Sequence, residues 1–376
     1  MSSDNHTVVG DGSYTDISSG ALKIQTLLKL VVDHEASDLH IVTGSPPAIR
    51  VSGSMVRVKG PPLNREDAKR LIYQVLTEEQ RNQLEKSLEL DFSFGVRGLA
   101  RFRGNVFYAR GSISGAFRLI PADIPDFKTL NLPNNLLHMT DVLNGLILIT
   151  GPTGSGKSTT LASLLDRLNE NESGHIVTIE DPIEFVHGHK GCLVNQREIG
   201  ADTDSFAVAL KSLLRQDPDI VLIGEMRDKE TIEAALTIAE TGHLVFGTLH
   251  TNSCVQTINR LVNVFPTSQQ EQIRTVLSFV LQGVVSQQLV PKCEGRGRAL
   301  ALEMLIPTQA VRTLIRDDKL HQLYSQMQTG QKDTGMVTMN QSLKAWVDKR
   351  VIDIETALSY TTAPSELRKM LRLKEE

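Results

Sequence analysis

No stretch of this 376-residue chain stays apolar for the roughly 20 residues that a membrane-crossing helix needs. The longest apolar runs, such as 146–149 and 220–223, are strand-sized, so a soluble protein is expected. Cysteine is scarce: Cys192, Cys254 and Cys293 are odd in number, widely spaced and without a Cys-x-x-Cys pair to hold zinc. Reduced thiols in a cytoplasmic protein follow from that pattern. Positive charge is not in surplus either, since 40 Lys and Arg against 44 Asp and Glu leave a net charge of −4. This balance speaks against a generally basic nucleic-acid-binding surface, and no nucleic acid is expected as a partner. The first residues are rich in Ser, Asp, Gly and Thr and lack the cationic start and apolar core of a secretory signal. Residues 1–21 therefore read as a flexible tail. No internal repeat is visible.

What is present is concentrated at Gly145-Leu-Ile-Leu-Ile-Thr-Gly-Pro-Thr-Gly-Ser-Gly-Lys-Ser-Thr159. An apolar run feeds a glycine-rich loop that ends in Lys157 and Ser158. The spacing is that of a P-loop, in which bare backbone N–H groups curl around phosphate oxygens. Gly151, Thr153, Gly154, Ser155 and Gly156 form the cradle, Lys157 neutralises charge, and Ser158 and Thr159 open the next helix, with the Ser158 hydroxyl placed to hold Mg²⁺. Residues 146–149 read as a buried parallel strand and 158–168 as a helix whose amino end faces the phosphates. The pattern implies a nucleoside triphosphate.

Around this loop the chain alternates strand-like runs at 176–179, 220–223 and 244–248 with helical patterns at 206–214, 229–240 and 255–262. Strands separated by helices predict a parallel sheet covered on both faces, the RecA-like arrangement of P-loop motors, over residues 135–376. The tail from residue 308 reads as almost wholly helical. Upstream, β-rich runs at 48–51, 55–58, 100–109 and 114–119 surround a charged helical stretch at 65–88. They predict a separate α+β domain over 22–119, joined by a proline-bearing linker at 120–134.

Three further segments carry candidate chemistry. The strand-like run before Glu225 ends in an acid, as a Walker B segment requires to place a carboxylate beside Mg²⁺. Ile179-Glu-Asp-Pro-Ile-Glu184 crowds three carboxylates around a proline, and one of them is suited to activate a water for attack on the γ-phosphate. Spacing does not decide which. His243 and His250 flank a run that, as a strand, holds them about 23 Å apart, too far to share an ion; His250 is then a candidate sensor of the γ-phosphate. His187 and His189 read as members of a surface strand. Arg97, Arg101, Arg103, Arg110 and Arg118 are dense for a β-rich region, and two or three of them are candidates to stabilise phosphate charge across a subunit boundary. On a helix at 310–317, Val311, Leu314 and Ile315 form an apolar stripe whose burial is expected to direct Arg312 and Arg316 outward.

Together, Ala36-Ser-Asp-Leu-His40, Gly44-Ser-Pro-Pro-Ala-Ile-Arg50, the P-loop, Ile179-Glu-Asp-Pro-Ile-Glu-Phe-Val-His187, Gly224-Glu-Met-Arg-Asp228 and Thr248-Leu-His-Thr-Asn252 resemble the secretion and type IV pilus ATPase superfamily. Residues 310–317 and 335–343 look like the C-terminal signatures of its pilus-retraction branch, with Val311, Thr313, Asp317 and Val337 as departures. The resemblance implies a hexameric, ATP- and Mg²⁺-dependent motor that powers pilus retraction. It further implies a PAS-like N-terminal domain and ATP between the domains. Carried over, Glu184 becomes the water-activating base, Glu225 the Walker B acid and metal-side carboxylate, His250 the sensor, and Arg101, Arg103 and Arg118 the arginine contacts. Implied partners are an inner-membrane pilus platform protein, a second retraction ATPase and the chain itself, at the cytoplasmic side of the inner membrane. Assembly and type II secretion relatives usually carry a tetracysteine module and a longer N-terminal region, both missing here. A DNA-transfer motor fits the charge less well, and a non-hydrolysing regulator is disfavoured by Lys157, Glu184 and Glu225.

Overall fold

The structure is a computed structural model that describes residues 8–9, 22–121, 123–295, 297–330 and 334–373. Apart from the two-residue strand Val8–Val9, the tail expected over 1–21 lies outside the described residues. The chain divides into two units, Met1–Ala122 and Asp123–Glu376. No helix among the described residues is long and apolar enough to cross a membrane.

The first unit contains a seven-stranded sheet, built from β1 (Val8–Val9), β2 (Asp38–Ile41), β3 (Ala48–Val51), β4 (Ser54–Val58), β5 (Glu89–Val96), β6 (Ala100–Ala109) and β7 (Ser112–Ile120) in the order β1-β4-β3-β2-β7-β6-β5. Three helices accompany it: α1 (Ile24–Asp33), α2 (Arg65–Tyr73) and α3 (Glu78–Ser87). On α1, Ile24, Leu27, Leu28 and Val31 recur at helical spacing and are fully buried. The helical stretch expected as one piece at 65–88 is two helices, because Thr77 and Gln80 form a reciprocal capping box that starts a new one. Strands β6 and β7 are joined by the two-residue turn Arg110–Gly111, both residues at positive φ, so Arg110 is a turn residue.

The second unit is a doubly covered sheet. Its strands are β8 (Gly145–Thr150), β9 (His175–Glu180), β10 (Leu193–Glu198), β11 (Ile220–Ile223), β12 (Leu244–Leu249), β13 (Leu281–Pro291) and β14 (Arg298–Leu305), in the order β10-β9-β11-β12-β8-β13-β14. All neighbours are parallel except the antiparallel pair β13 and β14. Alternate residues of one strand serve opposite cores. Leu146, Leu148, Val177, Val221 and Val245 face one cluster, which takes in α6 (Phe206–Leu213), α7 (Lys229–Glu240), α8 (Cys254–Asn263) and part of α9 (Thr267–Val280). Ile147, Ile149, Ile176, Leu222 and Phe246 face the other, with Leu161, Leu164, Leu165 and Leu168 of α5 (Lys157–Asn171). That two-sided burial is why these strands read as unbroken apolar runs. Phe127, Leu130 and Leu132, from the expected linker, pack on this second core beside α4 (Asn134–His138).

The C-terminal part is helical as expected: α10 (Gln309–Arg316), α11 (Leu323–Thr329), α12 (Met339–Asp348), α13 (Ile354–Tyr360) and α14 (Pro364–Met370). On α10, Val311 and Ile315 are fully buried. Arg312 does not point outward, however. Its guanidinium donates to the carbonyls of Ser278 at 2.7 Å and Phe279 at 2.8 Å and to Gln282 Oε1 at 3.2 Å. The correction has a plain cause: the last carbonyls of α9 have no intrahelical partners, and Arg312 supplies them.

Because β8, β9, β11 and β12 run parallel, their carboxyl ends meet at one edge of the sheet. That edge carries the P-loop after β8, Glu180 at the end of β9 with Asp181 and Glu184 following it, Glu225 after β11 and His250 after β12, a position where α/β sheets commonly bind ligands.

Candidate active site

The P-loop leaves β8 through Gly151, whose φ of +139° suits glycine alone, and any Cβ there would collide with the Gln287 carbonyl and lie 2.7 Å from Ser155 Oγ. Gly156 at φ +89° is the N-cap of α5, so the unpaired N–H groups of that helix open towards the loop. Lys157 Nζ donates to the carbonyls of Gly151 at 2.9 Å and Pro152 at 3.1 Å. Burial pushes its pKa below the ordinary lysine value, and the charge of Glu225 works in the opposite direction. Thr153, Gly154 and Ser158 are exposed, Thr159 is half-buried and Ser155 is buried. The Ser155 Oγ has no hydrogen-bond partner among the described residues. A glycine cradle, an orphaned hydroxyl, a helix amino end and an ammonium group fit the phosphates of a nucleotide.

Glu225 is held by Arg227 Nε at 2.5 Å and His250 Nε2 at 3.1 Å. Burial alone would raise its pKa, but the hydrogen bond from Arg227 and the charges of His250 and Arg227 outweigh burial and lower it. The turn that carries it is pinned to β12, since Thr248 Oγ1 donates to the Gly224 carbonyl and Met226 N donates to the Thr248 carbonyl at 2.9 Å. The carboxylate thus stands ionised beside an imidazole and near the lysine of the loop, and with the Ser158 hydroxyl it supplies oxygen ligands suited to Mg²⁺.

The three acids at the end of β9 and in the turn that follows differ in environment. Glu180 is buried and accepts from Thr178 Oγ1 at 2.6 Å, Gln196 Nε2 at 3.1 Å and Glu184 N at 3.4 Å. Burial raises its pKa. Glu198 is also buried, and its Oε2 accepts from Ile183 N at 3.3 Å. Asp181 and Glu184 are exposed. Glu180 and Glu198 therefore hold the backbone of this segment from inside, leaving the other two side chains outside.

His243 and His250 flank opposite ends of β12, and His243 Nδ1 lies 3.1 Å from the Ile238 carbonyl. His187 and His189 are not on a strand. They lie in the connection between β9 and β10, where His187 N donates to Gln196 Oε1 at 2.8 Å and His189 Nδ1 accepts from Val194 N at 3.0 Å. Side-chain contacts to β10 take the place of a strand pairing.

In the first unit, Asp38, Arg118 and Arg103 stand directly opposite one another across β2, β7 and β6. Arg118 Nε donates to Asp38 Oδ1 at 2.8 Å, while 70% of the arginine side chain stays exposed. Asp38 also accepts from Ser37 Oγ at 2.7 Å. Arg103 is exposed, and Arg101, two residues earlier on the same face, is half-buried. Sequence reasoning missed Gln287 and Glu198, and it quoted Arg227 and Thr248 within motifs without giving them a role. The one available signal was polar Gln287 within an apolar strand, since a buried amide needs a reason.

Residues 19–368 match the family model described as Type II/IV secretion system protein. The chain is 50% identical over 343 residues, 91% of its own length and 99% of the relative's, to the type IV pilus retraction ATPase PilT of Pseudomonas aeruginosa. It is 45% identical over 337 residues to a twitching motility protein of Neisseria gonorrhoeae, covering 90% of each chain. A crystal structure of the pilus retraction motor PilT with bound ADP superposes with a TM-score of 0.87 at 53% identity, covering 93% of this chain and 100% of that one. By this match along nearly its whole length, the chain belongs to the Type II/IV secretion system protein family.

Proposed function

We propose that this chain is an ATPase motor that powers type IV pilus retraction, drawing pilin subunits back out of the fibre and so supporting twitching motility. The observation that carries the reading is the gathering of the P-loop, Glu225 and His250 at one edge of a parallel sheet, in a chain that matches a retraction ATPase over 99% of that protein's length. Gly151 to Thr159 bind the phosphates and Lys157 offsets their charge. Ser158 and Glu225 would hold Mg²⁺, which would supply further positive charge to offset that of the phosphates. Glu184 accepts a proton from the attacking water as the new O–P bond forms and the bond to the bridging oxygen breaks. His250 hydrogen-bonds Glu225 in the structure, so a contact between this imidazole and the γ-phosphate would also reset the acid.

The assembly is a homohexamer. Residues 22–119 form a PAS-like domain, 120–134 a linker and 135–376 a RecA-like ATPase domain. Arg101, Arg103 and Arg118 of a neighbouring subunit contact the phosphates. Arg118 suits the role because Asp38 fixes its Nε edge and leaves the outer nitrogens available. The motor acts in the cytoplasm at the inner membrane, on a platform protein and alongside a second retraction ATPase, without nucleic acid.

The test is steady-state ATPase activity of the parent and Glu184→Gln, with oligomeric mass measured in the same preparations. An active hexameric parent and an assembled but inactive variant support both the motor and the role of Glu184. A parent that assembles and binds ATP without turnover makes it a regulator instead.

A further inference from the structure

Strand β13 lies beside β8, and in its second half, after Val284 and Val285, three polar residues, Ser286, Gln287 and Gln288, follow one another. Gln287 is only 1% exposed. Its amide donates to the Ser155 carbonyl at 2.8 Å, and because that carbonyl can only accept, nitrogen must be the amide atom facing it. The backbone carbonyl of the same glutamine packs against Gly151, and its Nε2 lies 3.2 Å from where a Cβ on Gly156 would sit. One residue therefore lies against two of the three positive-φ glycines of the P-loop, Gly151 and Gly156.

We propose that Gln287 is a positioning residue for nucleotide binding, which aims the Gly156 N–H at the phosphate by holding the Ser155 carbonyl from the buried side. The argument lies in the peptide unit. In a planar trans peptide the C=O of Ser155 and the N–H of Gly156 point in opposite directions. A donor that pins the carbonyl beneath the loop leaves the N–H above it. Glycine at position 156 imposes little rotational preference of its own, so the external hydrogen bond sets the orientation. A donor aimed in advance spares the ligand the cost of ordering it.

A second observation separates this role from simple support of the fold. Gln287 Oε1 is buried without a partner among the described residues, as are the hydroxyls of Ser155 and Ser286. A buried amide with its acceptor unused costs stability, so folding alone does not account for this side chain.

The inference rests on reading residues 151–159 as a nucleotide-binding loop, and its test distinguishes the two. Gln287→Met keeps length and volume while removing both the hydrogen bond and the orphaned oxygen. Binding of N-methylanthraniloyl-ADP with Mg²⁺ and thermal unfolding without nucleotide are measured on the full chain. The expected result is a Kd raised about tenfold, the loss of one charge-assisted contact, with Tm unchanged or higher. Gln287→Glu, of the same shape, sets an acceptor against the Ser155 carbonyl, and at least the same loss of affinity is expected. A lowered Tm with unchanged Kd in either variant assigns Gln287 to structure and overturns the proposal, as does a variant that binds as tightly as a binding parent. If the parent itself binds no ADP, the nucleotide reading falls and takes this one with it.

Discussion

Glu180 and Glu225 stand at the ends of neighbouring strands and titrate in opposite senses. For Glu225, Arg227 and His250 outweigh burial and hold the folded pKa below the ordinary 4.5. Its contribution to stability is thus present above that value and lost as pH falls through the folded pKa. For Glu180 burial dominates and the folded pKa lies above 4.5. The stability tied to its proton is complete below 4.5 and declines as pH rises through the folded pKa. Glu180→Gln is accordingly expected to flatten the decline in Tm on the rising side of this window. At neutral pH it should keep or raise stability while lowering turnover, because the amide cannot accept from Glu184 N and from its other donors together. Tm across about pH 4 to 8 and kcat at neutral pH check this, and an unchanged pH profile would refute the assignment. The same residues show where reading the sequence stops. The P-loop was legible because its glycine spacing is itself the device, whereas the three acids of 180–184 are told apart by burial and hydrogen-bond partners, which spacing does not encode.

Among the elements, the strands and helices of the parallel core were legible because each strand is apolar on both faces and each helix has one apolar stripe. Strand β10 was not, since only Val194 and the acid Glu198 are buried in its six residues. The β13–β14 pair was hidden by Ser286, Gln287 and Gln288, which break the apolar pattern of β13 and of which Gln287 holds the Ser155 carbonyl. Helix α9 has only Leu277, Ser278 and Val280 buried in its 14 residues, all at its carboxyl end, so the stripe that marks α10 is missing from its length. That end is also where α10 is fastened. Arg312 joins the two helices by closing the Ser278 and Phe279 carbonyls, and Arg312→Ala should lower stability by about 1–3 kcal/mol, the cost of leaving the part-buried Ser278 carbonyl and Gln282 oxygen unmet. Chemical denaturation measures this. Arg312→Lys should recover only part of the loss, because an ammonium cannot reproduce the planar fork. A neutral Arg312→Ala would return the residue to the outward surface role that the sequence pattern suggested.

At the scale of the whole molecule, the two units carry different parts of the proposed chemistry: the P-loop, Glu184, Glu225 and His250 lie in one, and Arg101, Arg103 and Arg118 in the other. If the arginines act across subunits, no single chain holds a complete site, and activity becomes a property of the ring. The consequence can be tested with two defects on different chains. Arg118→Ala and Glu184→Gln should each assemble and each be nearly inactive as pure hexamers. In an equal mixture, a site is intact when its own chain retains Glu184 and the neighbouring chain retains Arg118. Random assembly brings these together at about one site in four. Mixed hexamers should therefore regain up to about a quarter of parental ATPase activity per site, provided sites fire independently. Recovery is possible only if the arginine comes from a neighbour, because a site completed within one chain stays broken in both kinds of subunit. A mixture that remains inactive while subunit exchange is shown by mass would place Arg118 on its own chain's nucleotide. A fully active Arg118→Ala hexamer would instead move the role to Arg101 or Arg103, which lie on the same face of the sheet as Arg118.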